Sequence, residues 1–270
     1  MENTKPSVAY YDAQYGHLSS DVNTKVRAET FGVDLGQSGW ITVEEQDLFI
    51  RWLGLAPGAR LLDIACGSGG PTLRIAQETG CDVWGIDIHD RAIAEATARA
   101  SAAGLAERVR FQHEDASRPL PFPDGSVDAI ICIDAINHIP DRAATFRDWA
   151  RLLRPGGRLV FTDPIVVTGA LSNEEIAIRG SIGFFLFVPR DLDERLLAAA
   201  GFEVQEVTDR TANMATVARR WHDARARHAA TLRELEGAQT FDGQQRFFDV
   251  ASRIAAEKRL SRLAIRAVRP

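Results

Sequence analysis

The chain is poor in several residue types, and each shortage removes a class of protein. Cysteine occurs three times in 270 residues, at Cys66, Cys81 and Cys132, widely spaced and without the spacing of metal ligands. A disulfide scaffold is thereby excluded, and buried thiols in a reducing compartment are expected. Among 32 basic residues only Lys5, Lys25 and Lys258 are lysine, no contiguous basic block occurs, and 37 acidic residues leave a net charge of −5. Such a surface has no general attraction to phosphate backbones, so no nucleic-acid partner is expected. No stretch approaches the roughly 18–20 uninterrupted apolar residues of a transmembrane helix, and no membrane span is expected. His222 and His228 stand six apart, which does not suit one helical face, so no metal is expected. Residues 1–6 lack the basic start and apolar run of a secretory signal, which makes the cytoplasm the expected location.

What is present is an ordinary globular composition, 45% apolar and 26% charged. From residue 60 onward, β-branched runs alternate with helical stretches, the pattern of βα units around a mostly parallel sheet. Seven strands are expected, at 60–64, 82–86, 109–111, 127–133, 158–162, 202–207 and 260–268. Helices are expected over 42–53, 70–79 and 141–153, from Asp90 as N-cap, and from Pro189 and Asp191 to the C-cap at Gly201. Arg154-Pro155-Gly156-Gly157 reads as a turn. The fold class is α/β with helices on both faces. Residues 1–58, 164–188 and 211–258 stand outside the alternation, the last reading as one or two long helices. We divide the chain into an N-terminal helical lid over 1–58 and a main domain over 59–270, with insertions at 164–188 and 211–258 on the substrate side.

The most informative stretch is Leu61-Leu62-Asp63-Ile64-Ala65-Cys66-Gly67-Ser68-Gly69-Gly70. A strand running into glycines and then a helix lets a nucleotide-type ligand approach the backbone closely. A dinucleotide fingerprint would place a third glycine where Thr72 stands. Asp63, four residues before the first glycine, would repel a pyrophosphate and suit a cationic tail. Asp87, about 20 residues beyond the glycines, suits the two ribose hydroxyls. Asp115 suits an exocyclic adenine amine. Together they describe a cavity for an adenosine with a positively charged tail and no phosphate, which S-adenosylmethionine fits.

In this order, Asp63-x-x-x-Gly67-x-Gly69, Asp87, Asp115-Ala116, Leu120-Pro121-Phe122 and Leu153-Arg154-Pro155-Gly156-Gly157 resemble the successive motifs of the class I S-adenosylmethionine-dependent methyltransferases, over residues 55–210. Each motif is weak singly; together they are specific. The resemblance implies a Rossmann-like, seven-stranded, mostly parallel sheet whose last strand inserts antiparallel between the fifth and sixth. It implies that Asp63 lies near the methionine amino end, that Gly67 and Gly69 line the methionine moiety, and that Ile88 packs on adenine. It also implies that Asp115 and Ala116 edge that ring and that Ile133 touches the ligand through its backbone.

Methyl transfer from a sulfonium is an in-line displacement, needing a base only where the nucleophile carries a proton. Candidates follow the fourth and fifth strands: His138, which titrates near neutral pH, and Asp163. The layout most resembles the small-molecule branch: sugar and polyketide O-, sterol and ubiquinone C-, and phosphoethanolamine or sarcosine N-methyltransferases. In some members residues at the positions of His138 and Asp163 serve catalysis, although paired histidines there are Asn137-His138 here. Relatives also open with an aromatic helix, matched by Tyr10, Tyr11 and Tyr15, and a Ser-Gly stretch matched by Ser38-Gly39, which touches the methionine carboxylate in phosphoethanolamine-type enzymes. Asp134-Ala135-Ile136-Asn137 is not the motif of base-amine methyltransferases. Ile182 to Val188 holds three phenylalanines, which suits an acceptor of apolar or ring character, a homodimer patch or core. The expected activity is methylation of a small-molecule acceptor, with S-adenosylhomocysteine as product. A nicotinamide-dependent oxidoreductase and a non-catalytic cofactor-binding module are the competing readings.

Overall fold

The structure, a computed structural model, describes residues 6–270, with side chains from Tyr11 onward. Its strands are β1 Arg60–Ile64, β2 Asp82–Asp87, β3 Val109–His113, β4 Val127–Cys132, β5 Leu153–Val167, β6 Val188–Pro189, β7 Glu203–Asp209 and β8 Leu260–Val268. They form one sheet in the order β3-β2-β1-β4-β5-β8-β7, with β6 on β5. β1 to β5 pair in parallel, and β8 runs antiparallel between β5 and β7. Among the described residues the strands therefore number eight, not seven. The addition is β6, a two-residue pairing inside the first insertion that the sequence pattern is too short to reveal.

The helices are α1 Pro6–Gly16, α2 Asp21–Phe31, α3 Val43–Leu53, α4 Gly70–Thr79, α5 Asp90–Ala102, α6 Arg142–Leu152, α7 Asn173–Arg179, α8 Leu192–Ala199, α9 Thr211–Arg227, α10 Ala229–Glu236 and α11 Ala238–Ala256. Several begin on the caps that the residues suggest: Thr42 accepts from Glu45 N and Asp141 from Ala144 N. α5 differs, since His89 is its N-cap and Asp90 sits in the first turn, where its charge suits the helix dipole. The second insertion holds three helices rather than one or two, broken at His228 and at Gly237, whose φ is +84°. The expected turn at Arg154–Gly157 lies within β5 as a bulge, because Val127 pairs with Leu153 while Ala129 pairs with Arg158.

Alternation along the strands sends side chains to two cores. Leu62, Ile130 and Phe161 pack with Phe146 and Trp149 of α6. Leu61, Ile131 and Val160 pack with Phe49 and Trp52 of α3 and Leu73 of α4. The segments outside the alternation make their own cores: Phe31 and Trp40 join Met214, Phe247 and Phe248, and Val22 and Val26 join Ala224 and Phe241. No helix among the described residues is long and apolar enough to cross a membrane.

Candidate active site

β1, β2 and β4 end side by side, and the loops leaving them wall a cavity of about 620 Å³, ample for a nucleoside with a short tail. After β1 the chain turns through Ala65, Gly67 and Gly69, all at positive φ, before entering α4. At Gly69 a Cβ would stand 2.6 Å from the Phe111 ring and 2.8 Å from Ala96, so conformation and space both require glycine. Asp87, the last residue of β2, is buried at the cavity wall. One carboxylate oxygen accepts from Gly67 N at 2.8 Å and the other from His89 N at 3.0 Å, and Ile88 N also acts on the carboxylate. Burial raises its pKa, while His89 and these backbone donors oppose the rise. Ile88, Asp115, Ala116 and Ile133 border the same cavity. Asp115 is fixed by accepting from Ser117 N and Oγ at 2.9 and 2.6 Å.

Asp63, Gly67 and Gly69 do not line this cavity, although Gly67 is tied to its wall by the bond to Asp87. Asp63 turns toward α4, where Thr72 Oγ1 donates to it at 2.5 Å. Burial lifts its pKa to about 7, against the Thr72 bond. Thr72, standing where a dinucleotide fingerprint has its third glycine, thus joins strand to helix. Gly67 is covered by Tyr15, whose hydroxyl is 3.4 Å from Ser38 Oγ. Tyr11 and Ser38 border the cavity as well, whereas the side chain of Tyr10 lies outside the described residues.

A second cavity, of about 120 Å³, adjoins the first between the sheet and the helices of the flanking segments. His138 borders both. Its Nδ1 lies 2.8 Å from the Phe184 carbonyl, which can only accept, so the proton sits on Nδ1 and Nε2 offers a lone pair. Burial brings its pKa down to about 4, so the ring is neutral at pH 7. Asp163 borders neither cavity. It is fully buried, with Arg142 donating to it at 2.5 Å, and Arg142 also holds Asp193 at 2.8 Å. Of the 182–188 run, Phe185 borders the second cavity and Phe184 the first, while Phe187 packs on Ile165 and Leu260.

Two features were not visible in the sequence. Asp134, at φ +55°, binds Arg262 of β8, which also holds Glu45 of α3, and accepts from Trp40 N at 2.7 Å, tying the Ser38–Trp40 loop to the sheet. Arg179, at the end of α7, is buried in the second cavity together with Asn137 and Gln244.

The comparisons agree with this geometry. A family described as "Methyltransferase domain" matches residues 62–161. The chain is 37% identical over 171 residues to 27-O-demethylrifamycin SV methyltransferase of Amycolatopsis mediterranei, covering 62% of each chain. It is also 37% identical over 163 residues to a methyltransferase of Streptomyces halstedii, covering 58% of this chain and 57% of that one. The chain thus spans about three fifths of the length of these curated relatives. In fold it is similar to a cyclopropane synthase of Mycobacterium tuberculosis, with a TM-score of 0.84 over 98% of this chain and 99% of that one at 17% identity. A sheet with its last strand reversed, an acid closing β2 above a glycine turn and the matched domain point the same way: residues 62–161 are similar to a methyltransferase domain, and the chain around them is similar in fold to methyl-transferring enzymes.

Proposed function

We propose that the chain transfers the methyl group of S-adenosylmethionine to an oxygen, nitrogen or carbon of a small molecule. The observation that carries this reading is the shared wall: Tyr11, Ser38, Gly39, Asp134 and His138 border both the nucleoside-sized cavity and the smaller one beside it. A donor in one and an acceptor in the other meet across that wall, where holding them at attack distance lowers most of the barrier. The relative named for a rifamycin O-methylation supports a small-molecule acceptor.

S-adenosylmethionine, when bound, supplies a methyl group made electrophilic by its sulfonium. Asp87 binds the ribose hydroxyls, Ile88 and Ala116 pack on the base, and Asp115 accepts from the adenine amine. Ser38 receives the methionine end, and Tyr11 and Tyr15 keep water from it. His138 Nε2 takes the proton of an acceptor hydroxyl or ammonium. Asp163 acts at a distance, since its charge is spent on holding Arg142.

Calorimetry tests the reading. S-adenosylhomocysteine should bind the wild-type protein, and NAD should not; the opposite result would overturn it. Binding without transfer of labelled methyl to any acceptor would instead favour the non-catalytic module.

A further inference from the structure

The second cavity holds a charge that no hydrogen-bond acceptor among the described residues answers. Arg179 is 1% exposed, and none of its three guanidinium nitrogens meets a hydrogen-bond acceptor among the described residues. Three rings surround it instead, Phe247 at 4.6 Å, Phe185 at 5.4 Å and Trp40 at 5.8 Å from the guanidinium carbon. Rings attract a cation but accept no conventional hydrogen bonds, so they offset only part of the lost hydration. Asp134, the carboxylate whose charge acts on Arg179, is already engaged by Arg262, Thr162 and Trp40 N. Burial draws the Arg179 pKa down to about 10, which leaves it charged at neutral pH.

The other unpartnered groups of the cavity point the same way. Asn137 is fully buried with neither side-chain atom bonded, and Gln244 Nε2 also lacks an acceptor among the described residues. Counted by chemistry, Arg179, Arg225 Nε, Gln244 Nε2 and Asn137 Nδ2 are donors, and Asn137 Oδ1 alone is an acceptor. A neutral apolar acceptor would leave all of them unmet, at a cost that buried polar groups rarely carry.

We propose that the acceptor carries an anionic oxyacid group, a carboxylate or a phosphate, which Arg179 binds while Trp40, Phe185 and Phe247 pack against its apolar body. This rests on the methyl-transfer reading for the word acceptor, but the anion site itself does not need it. Arginine suits the task because its planar fork meets two oxygens of such a group at once.

The test uses the full chain saturated with S-adenosylhomocysteine and two matched probe pairs, benzoate against benzamide and phenyl phosphate against phenol, followed by calorimetry. At least one anion should bind about tenfold or more tightly than its neutral partner, as expected for charge-assisted bonds in a desolvated site. Whichever anion leads separates carboxylate from phosphate. Arg179→Met should reduce that ratio to about threefold or less with S-adenosylhomocysteine affinity unchanged. It should also raise the melting temperature of the ligand-free protein, because it removes an uncompensated buried charge; a merely structural arginine would lower it. Anions that bind no better than their neutral partners, or a preference that survives Arg179→Met, would overturn the proposal. If the variant does not fold, the wild-type ratios decide alone. Failure of S-adenosylhomocysteine to bind strikes the methyl-transfer reading instead, and the probe ratios are then read on the protein by itself.

Discussion

Removing Arg262 should do more damage than any single substitution in the cavity walls. Its Nη1 donates to both oxygens of Glu45 at 2.8 Å, and its Nε and Nη2 donate to Asp134 at 2.6 and 3.2 Å. Arg262 is fully buried. Burial works against its charge, but Asp134 and Glu45 outweigh that and hold its pKa above the ordinary arginine value. Arg262→Met keeps most of the volume and leaves two buried carboxylates facing each other without a cation. Breaking a buried pair in this way costs about 3–5 kcal/mol. For a chain of this size that lowers Tm by roughly 6–20 °C, at about 2–4 °C per kcal/mol. Urea titration should show a lower midpoint with an unchanged slope, and S-adenosylhomocysteine affinity should fall severalfold because Asp134 no longer steadies Trp40. The triple variant Glu45→Gln, Asp134→Asn, Arg262→Met removes all three charges and should recover much of the stability. A fall in Tm of less than about 2 °C for Arg262→Met, or a triple variant no better than the single one, would refute the reasoning.

Three further outcomes follow from the site. His138→Gln should cut turnover by about 10²–10⁴ with cofactor affinity within twofold. Since burial brings His138 to about 4, the wild-type rate should stay level down to about pH 5, and an acid limb at pH 6.5 would contradict the geometry. The Asp63 carboxyl, lifted by burial to about 7, keeps a proton that the unfolded chain releases near pH 4. Its contribution to stability is complete below pH 4 and declines as pH rises to 7, by up to about 4 kcal/mol. Asp63→Asn should therefore flatten the loss of stability between pH 5 and 8 in urea titrations, and equal slopes would sink the assignment. Asp163→Asn should cost about 3 kcal/mol by weakening the grip on Arg142 while kcat stays within about threefold; a hundredfold loss in a folded variant would return Asp163 to catalysis.

The cavity at the ends of β1, β2 and β4 was legible because its parts are local. A strand, a glycine turn and a helix occupy one short stretch, and Asp87 closes the next strand, so Ile88, Asp115, Ala116 and Ile133 arrive at one cavity as the order of motifs implies. What the residues do not disclose is which way a side chain turns at a strand's end. Asp63 turns under α4 to Thr72, and Asp163 sinks to Arg142, although both follow the same pattern of an acid beside an apolar run. Long-range pairs are hidden for a different reason: Arg262 meets partners 128 and 217 positions away, and no local period records that. The second insertion breaks into three helices at two residues, His228 and Gly237, and the composition around them does not announce the positive φ of Gly237.

The second cavity, the acceptor site on the proposed reading, draws on the segments that the alternation leaves over, with Trp40 from the first, Arg179 and Phe185 from the second and Gln244 and Phe247 from the third. These can change without disturbing the loops that hold the donor, which is how one sheet serves many acceptors. His138 links the two sides electrostatically as well as by position. Burial is the main reason that its ring is a weak base, and the Arg179 charge adds to that effect. An anion seated on Arg179 neutralises that part of the field, so His138 becomes more basic when the acceptor is in place. On the proposed reading, the cavity that binds the acceptor's anion would thereby also strengthen the base.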